Sequence, residues 1–252
     1  MIALRSGLFL ALMALSVVAY TIPIVLLGGL LDVRARGALG RSWARLTLGL
    51  LKGLCSLDYR VEGLASLPGD ASLVFCKHQS AWETIALRAF LPLEQTWVLK
   101  QELLRIPFFG AAVRRFQPIA IDRSAGRRAM AQLLSEGRER LGAGRWVVIF
   151  PEGTRVAPGE VKPFTMGGAV LAERTGAPVV PIAHNAGVFW KRRGLRKLPG
   201  RIDVVIGPPI TTAGLSAKEI NALAEASINR TLDSLPTRQR RASGERVISS
   251  TD

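Results

Sequence analysis

The chain has 252 residues, which suits one α/β domain with an attached segment and is short for two full domains. Its two cysteines and two histidines form neither a disulfide framework nor a metal-binding pattern, so no metal is expected. A net charge of +15 indicates an anionic partner: a membrane surface, a phosphorylated substrate, an acidic protein or nucleic acid.

Residues 6–31 contain no charged side chain and predict a hydrophobic membrane segment. As one helix they would be roughly 39 Å long, more than the ~30 Å hydrocarbon core, and would span it with tilt. Pro23 and the Gly28-Gly29 pair offer the alternative of a broken helix embedded in one leaflet. A cleaved signal peptide is less favoured, because the apolar run is long and no clean A-x-A site follows it.

Basic residues follow this run and, by the positive-inside rule, predict that the rest of the chain faces the cytoplasm. They are Arg34, Arg36, Arg41, Arg45 and Lys52, against Arg5 alone before the run. Helical spacing of apolar residues within 37–57 predicts an amphipathic helix at the membrane interface. Its apolar positions are Trp43, Leu46, Leu50 and Leu54. An ordinary core helix with basic edges is the open alternative. Residues 1–57 are therefore assigned to membrane-anchoring helices.

From residue 58 onwards, short apolar runs alternate with helical patterns. The predicted strands are 58–63, 72–76, 96–100, 117–121, 145–150, 178–183 and 201–207. The predicted helices are 80–91, 101–115 with a break at Pro107, 126–141, 164–175 and 216–234. This alternation predicts an α/β fold, with a mostly parallel mixed sheet of about seven strands flanked by helices. The domain covers residues 58–235, and the polar, basic residues 236–252 are predicted to be disordered.

His78 and Glu83 lie where a strand gives way to a helix, at the edge where active sites of such folds gather. The sequence Ser80-Ala81-Trp82-Glu83 is an S-x-x-E capping box, which predicts a helix that starts at Ser80. That start would leave His78 in the preceding turn with Glu83 within reach, as a general base and the carboxylate that orients it. The alternative is a plain helix cap with no catalytic role.

The sequence FPEGTR, residues 150–155, follows another apolar strand. Its Gly153 allows close approach of a ligand, Thr154 adds a hydroxyl, and Arg155 offers a guanidinium fork for phosphate. Arg123 ends a further strand. A base, a carboxylate (Glu152) and two arginines suit a substrate with both a hydroxyl and a phosphate. The alternatives are a simple P-E-G turn and a solvated arginine. Loops typical of nucleotide hydrolases and dinucleotide enzymes do not occur in the sequence.

In this order, the motifs resemble the four blocks of the glycerolipid acyltransferase superfamily, most closely those of bacterial 1-acyl-sn-glycerol-3-phosphate acyltransferases. The blocks are H-x-x-x-x-D at 78–83, an arginine after a strand at 119–123, F-P-E-G-T-R at 150–155 and V-P-[IV] at 180–182. The resemblance covers about residues 58–210, and the 78–83 and 150–155 blocks at this spacing are its specific part. Glu83 stands where the family has Asp.

The resemblance implies a glycerol-3-phosphate acyltransferase-like fold and acyl transfer from acyl carrier protein or coenzyme A to the sn-2 hydroxyl of lysophosphatidate, giving phosphatidate. It implies His78 as general base, Glu83 as its orienting group, and no metal or cofactor besides the thioester co-substrate. The implied substrate-binding residues are Arg123, Glu152, Gly153, Thr154, Arg155, Val180, Pro181 and Ile182, with Lys100 as a further candidate. The implied location is the cell inner membrane, among its phospholipids, with the catalytic domain in the cytoplasm.

Three other functions stay open or are disfavoured. A sister acyltransferase with a different lyso-lipid acceptor is the nearest rival. A lipid hydrolase lacks G-x-S-x-G, and Cys76 ends an apolar strand, which predicts a buried small residue rather than a nucleophile. A nucleic-acid partner is not expected, because no binding module is recognisable. Lys77 and Lys100 are predicted to be solvated, with stabilisation of charge on the thioester or the phosphate as the alternative, and His184 is predicted to be structural. The basic loop at 191–201 either contacts anionic headgroups or an acidic carrier protein, or is simply solvated; both alternatives stay open.

Overall fold

The structure is a computed structural model that describes residues 1–236, so the predicted disordered tail lies outside the described residues except for Pro236. The helices are α1 (Ile2–Leu27), α2 (Val33–Cys55), α3 (Trp82–Phe90), α4 (Phe109–Arg115), α5 (Arg127–Gly142), α6 (Gly167–Thr175), α7 (Ala186–Phe189) and α8 (Ala217–Ser234). The strands are β1 (Leu57–Glu62), β2 (Leu73–Cys76), β3 (Gln95–Lys100), β4 (Ile119–Ile121), β5 (Trp146–Ile149), β6 (Val179–His184) and β7 (Gly200–Ile206).

The strands form one sheet in the order β1-β7-β6-β2-β5-β3-β4. All neighbours are parallel except β6 and β7, so the predicted mostly parallel mixed sheet of seven strands is confirmed. In the register of the central strands, Phe75 lies opposite both Ile149 and Pro181. The loops that leave β2, β5 and β6 therefore start side by side at one edge of the sheet.

Helices cover both faces of this sheet, which explains why the central strands are apolar at every position. In β2, Val74 and Cys76 belong to the core that includes α2 and α3. Leu73 and Phe75 belong to the core that includes α5, α6 and α8. The helix predicted over 101–115 splits into a 3-10 turn, Gln101–Arg105, and α4, because Pro107 cannot continue a helix. The four-residue α7 is too short to leave a periodic pattern.

Helix α1 is continuous through Pro23 and is long and apolar enough to cross a membrane. Within its most apolar window only 17% of the residues are buried. The exposed side chains include Leu4, Leu15 and Ile22. Such an unburied apolar helix is poorly suited to water and suggests membrane association.

Helix α2 packs into the domain on a different face from the one predicted. Ala44, Leu48 and Leu51 are buried with α3 in the core, whereas Leu46 is 44% exposed. Small residues such as Ala44 let the helix approach its neighbours closely. The predicted face was drawn from large apolar residues alone, so it did not include these small buried positions. Trp43, Leu50 and Leu54 of the predicted face are partly buried against the same core, so α2 has the packed face that the core-helix alternative requires, and its place at a membrane interface stays a prediction.

Lys197 fastens the start of α1 to the domain. Its backbone N–H donates to the Ser6 hydroxyl over 2.9 Å, and its ammonium donates to the Leu195 carbonyl over 2.8 Å. The ammonium also lies 4.5 Å from the ring centroid of Trp190. The side chain is 1% exposed and has no carboxylate partner among residues 1–236. Burial lowers the pKa of Lys197 to about 8.

This lowered pKa makes stability depend on pH. At pH values between about 8, the pKa of Lys197 in the folded chain, and 10.5, the ordinary pKa of lysine, the folded chain has released the Lys197 proton while the unfolded chain keeps it. The free energy of unfolding should therefore rise with pH across this window in the wild type, relative to Lys197→Met, which lacks the group. Thermal unfolding of both proteins at about pH 7 and about pH 9.5 measures the effect. Lys218→Met, at an exposed lysine of α8, is the control; an equal pH response in all three proteins would contradict the lowered pKa.

Candidate active site

A single buried carboxylate organises the loop after β2. The Glu83 Oε1 atom accepts hydrogen bonds from His78 Nδ1 over 2.8 Å, from Gln79 N over 2.8 Å and from Ser80 N over 2.7 Å. Helix α3 begins at Trp82, two residues later than predicted, and the Ser80 hydroxyl accepts from the Trp82 N–H rather than from the Glu83 N–H. One Glu83 oxygen therefore both holds the turn before the helix and orients the histidine.

The charge state of this carboxylate follows from its contacts. Burial alone would raise the pKa of Glu83, but the opposing effects of His184, His78 and the Ser80 N–H outweigh burial and leave the pKa lowered. An ionised Glu83 accepts a hydrogen bond from the N–H at His78 Nδ1, so in the neutral ring His78 Nε2 carries the lone pair. The His78 side chain is 14% exposed, stacks on the Phe150 ring with centroids 4.1 Å apart, and lines a cavity. This geometry is the one that the predicted role of general base requires.

His184 supports the same loop from β6. It is fully buried, its Nε2 lies 2.8 Å from the Lys77 carbonyl, and its Nδ1 accepts from the Ala186 N–H over 3.2 Å. These partners require the tautomer with the proton on Nε2. Burial lowers the pKa of His184, which keeps the ring neutral. Its contacts are those of a structural residue, as the sequence indicated.

Glu152 and Lys77 form a buried ion pair, and this corrects two predictions. Lys77 is not solvated, since its side chain is 3% exposed and its ammonium contacts the Glu152 Oε1 atom. Glu152 is 0% exposed and does not line the cavity as a substrate-binding residue would. Its Oε2 atom instead accepts from the backbone N–H of His78 over 2.8 Å. Glu152 therefore positions the histidine loop from the neighbouring strand end.

The cavity beside His78 has a volume of about 600 Å³ and two chemically different ends. The polar end is lined by His78, Lys100, Arg123, Gly153, Thr154 and Arg155. The apolar arm includes Val17, Tyr20, Ile24, Trp43, Val113 and Phe116, contributed by α1, α2 and α4. The structure thus brings six predicted site residues together and adds the N-terminal helix, which the motifs did not assign to the site.

Cationic groups converge at the polar end. The Arg155 Nε atom is buried without an acceptor among residues 1–236, and burial lowers the pKa of this guanidinium. Arg123 Nη1 donates to the carbonyl of Gly153, whose φ of 70° places the turn in the region that glycine adopts readily. Lys100 pairs with Glu102 over 2.7 Å at the surface, and Arg192 lies at the rim. This arrangement suits a phosphate group.

The fourth predicted block does not reach the cavity. Val180, Pro181 and Ile182 are buried inside β6, so their predicted role in shaping the acyl site is not supported by direct contact. Arg88 on α3 was missed instead. Its guanidinium lines the cavity, 4.9 Å from the ring centroid of Trp97 and 4.8 Å from that of Phe116. No motif contains Arg88, so only the tertiary contacts reveal it.

The buried ion pair predicts a specific stability effect. Glu152→Gln should lower the free energy of unfolding by about 3–5 kcal/mol, because the Lys77 ammonium is left buried without its carboxylate. The double variant Lys77→Met/Glu152→Gln removes that charge as well and should recover part of the loss. Urea unfolding of the wild type, both single variants and the double variant measures the coupling. A loss below about 1 kcal/mol in Glu152→Gln would be typical of a solvated pair and would contradict this picture.

Comparisons with known proteins agree with these motifs. A family model described as "Acyltransferase" matches residues 58–185. The 1-acyl-sn-glycerol-3-phosphate acyltransferase of Pseudomonas aeruginosa is 41% identical over 96% of this chain and 95% of the relative. The human enzyme named 1-acyl-sn-glycerol-3-phosphate acyltransferase alpha is 30% identical over 86% of this chain and 73% of the relative.

A solved structure has the same fold. The crystal structure of the 1-acyl-sn-glycerophosphate (LPA) acyltransferase PlsC from Thermotoga maritima superposes with a TM-score of 0.78 at 22% identity. The match covers 92% of this chain and 94% of that one, so the architecture is shared over nearly the whole length. Together with the family model and the Pseudomonas relative, this shows that the chain is an enzyme of the acyltransferase family.

Proposed function

We propose that this enzyme transfers a fatty acyl group from a thioester to the sn-2 hydroxyl of 1-acyl-sn-glycerol 3-phosphate, giving phosphatidate. The observation that supports it best is one cavity that joins an oriented imidazole, a cationic end and an apolar arm. Lysophosphatidate carries the matching groups: a hydroxyl, a phosphate and an acyl chain. The names of the relatives support the same acceptor.

In the proposed reaction, His78 Nε2 takes the proton from the sn-2 hydroxyl while Nδ1 keeps its hydrogen bond to Glu83. The resulting oxygen nucleophile attacks the thioester carbonyl, the new C–O ester bond forms, and the C–S bond breaks. The proton on Nε2 then passes to the leaving thiolate, which restores neutral His78. Because the thioester is already activated, a base worth about 10²–10⁴-fold and correct positioning supply most of the help.

The proposed reaction needs no covalent acyl-enzyme and no metal or other cofactor. Cys76 is unsuited to carry an acyl group, because it is fully buried and burial raises the pKa of its thiol well above the ordinary value. In the proposal, the phosphate lies against Arg155 and Arg123, where guanidinium forks allow bidentate contacts. Thr154 and Lys100 line the same end of the cavity.

We also propose that the chain works at the cell inner membrane with its catalytic domain in the cytoplasm. Val17, Tyr20 and Ile24 of the apolar helix α1 line the cavity, so a lipid can reach His78 without leaving an apolar environment. The basic residues that follow α1 favour the cytoplasmic side. The thioester donor, acyl carrier protein or coenzyme A, would then approach from the water.

The base assignment predicts two different losses of activity. His78→Ala should reduce phosphatidate formation by at least about 10³-fold, because no group remains to take the hydroxyl proton. Glu83→Gln should reduce kcat by about 10²-fold or more, since a neutral amide stabilises the imidazolium less well than a carboxylate. Both are measured with radiolabelled lysophosphatidate, with the thermal unfolding of each variant as the fold control. Turnover of His78→Ala above about a tenth of wild type would contradict the base assignment.

The phosphate assignment predicts a change in acceptor preference. Arg155→Met should raise the KM for lysophosphatidate by about 10-fold or more, because a charge-assisted bidentate contact is lost, and should change the KM for monoacylglycerol little. Arg196→Met, at an exposed arginine that does not line the cavity, is the matched control. The assay compares lysophosphatidate with other lyso-lipids and with monoacylglycerol.

Preference for another lyso-lipid by the wild type would favour a sister acyltransferase. Release of free fatty acid in place of phosphatidate would favour a hydrolase. An equal rise in KM for acceptors with and without phosphate would contradict the role of Arg155.

A further inference from the structure

Helices α5 and α6 form a shallow basic groove that the proposed reaction does not use. It is lined by Arg127, Met130, Ala131, Leu134, Ser135, Arg138 and Arg174. The three arginines are exposed, and none forms an ion pair with a carboxylate among residues 1–236. Between them lie the partly buried, apolar Met130 and Leu134. We call this surface the arginine groove.

Carboxylates on the same two helices are engaged elsewhere. Glu139 pairs with Arg140, and Glu136 accepts a hydrogen bond from Gln132 over 2.8 Å. Glu173 accepts from the backbone N–H of Ala217 over 3.0 Å. Hydrogen bonds from neutral groups do not cancel the charge of a carboxylate, but α5 and α6 together carry five arginines against three glutamates. The surface therefore keeps a net positive charge that steers acidic molecules towards it.

The groove lies on the side of the sheet away from the apolar helix. Helices α5 and α6 pack in one core, whereas α2 and α3 pack in the other, and α1 rests on α2 and α4. A partner in the groove would therefore approach from the water rather than from the lipid. This position disfavours membrane headgroups as the occupant, in contrast to the basic loop at Lys197, which contacts α1.

One end of the groove lies at the same edge of the sheet as the catalytic cavity, because α5 follows β4, which runs parallel to β3 and β5. Arg127 starts α5 only four residues after Arg123, which lines the polar end of the cavity. From Arg127 the groove extends along α5 to Arg138, a distance of roughly 16 Å at ~1.5 Å per residue. A protein bound there would lie beside the mouth of the cavity, in position to present a thioester on a flexible arm to His78.

We propose that the arginine groove docks the acyl carrier protein that delivers the acyl thioester, a proposal that rests on the proposed function. Acyl carrier proteins are acidic, and carboxylates along a helix of such a partner match the three arginines. Met130 and Leu134 supply the small apolar contact that protein interfaces have at their centre. Charge complementarity of this kind mainly increases the association rate and the discrimination between partners.

The test compares two donors that carry the same acyl chain. The variant Arg127→Glu/Arg138→Glu/Arg174→Glu, as the full chain in lipid nanodiscs, is assayed with acyl carrier protein and with coenzyme A thioesters. Its KM for the carrier-protein donor should rise by about 10-fold or more, while its kinetics with the coenzyme A donor should change by less than about twofold. Raising the salt concentration should weaken the carrier-protein reaction in the wild type more than in the variant.

The matched control reverses three charges at other exposed arginines, as Arg60→Glu/Arg201→Glu/Arg230→Glu. Arg60 and Arg201 lie in β1 and β7, at the opposite edge of the sheet from β4. This control should keep wild-type kinetics with both donors. An equal rise in KM in the control would mean that net charge, not the groove, attracts the donor, and would overturn the proposal.

Other outcomes also overturn it. Unchanged carrier-protein kinetics in the groove variant would show that the carrier protein docks elsewhere. A loss of activity with the coenzyme A donor alone would assign the arginines to binding of the coenzyme A phosphates. An equal loss with both donors would assign them to the stability of the fold. If the wild type turned over the coenzyme A thioester but not the carrier-protein thioester, the carrier protein would be excluded as the donor that docks in the groove. Failure of the wild type to form phosphatidate with either donor would overturn the proposed function itself, and is seen before any variant is compared.

Discussion

The three hydrogen bonds to one oxygen of Glu83 are the constraint on which the site depends. A carboxylate without exposure to water stays ionised only if fixed donors replace its hydration, and at Oε1 His78 Nδ1 and the N–H groups of Gln79 and Ser80 do so. The Oε2 atom has no hydrogen-bond donor among residues 1–236 and lies 3.9 Å from His184 Nε2. The same bonds fix the turn before α3 and set the histidine tautomer. The conformation of the turn and the orientation of the histidine therefore depend on a single carboxylate. The longer glutamate, where the family has aspartate, still reaches the imidazole at 2.8 Å.

The sheet topology makes this arrangement rigid. Because β2 lies between β5 and β6, the loop that carries His78 is bonded from both sides. Glu152, after β5, accepts from the His78 N–H, and His184, at the end of β6, bonds the Lys77 carbonyl. The side chains of the F-P-E-G-T-R motif therefore point in two directions, and each direction corresponds to a different role. Its glutamate points into the protein and holds the loop of His78, the proposed base, while its arginine points into the cavity, towards the proposed phosphate.

Much of this could be predicted from the sequence, and the failures have a common cause. Strand and helix order follow from local apolar patterns, and the motifs at strand ends give the neighbourhood of His78, Glu83 and Arg155. Local patterns do not show which way a side chain points or which distant residue it contacts. Lys77 looks solvated until Glu152, 75 positions away, is brought beside it. Val180 and Ile182 lie in a predicted strand, yet both faces of that strand are covered, so alternation gave no sign that they miss the cavity.

The charge of +15 has different physical roles in different places. In the cavity, Arg155 has a lowered pKa because burial removes water from it, and a bound dianion would replace that water. On α5 and α6, exposed arginines keep their water and act over distance, which suits a transient encounter with a soluble donor. The proposed reaction, which joins a lipid acceptor to a water-borne thioester, would need both kinds of site. The apolar helix α1 and the arginine groove lie on opposite faces of one sheet, so in this proposal acceptor and donor need not compete for the same route to His78.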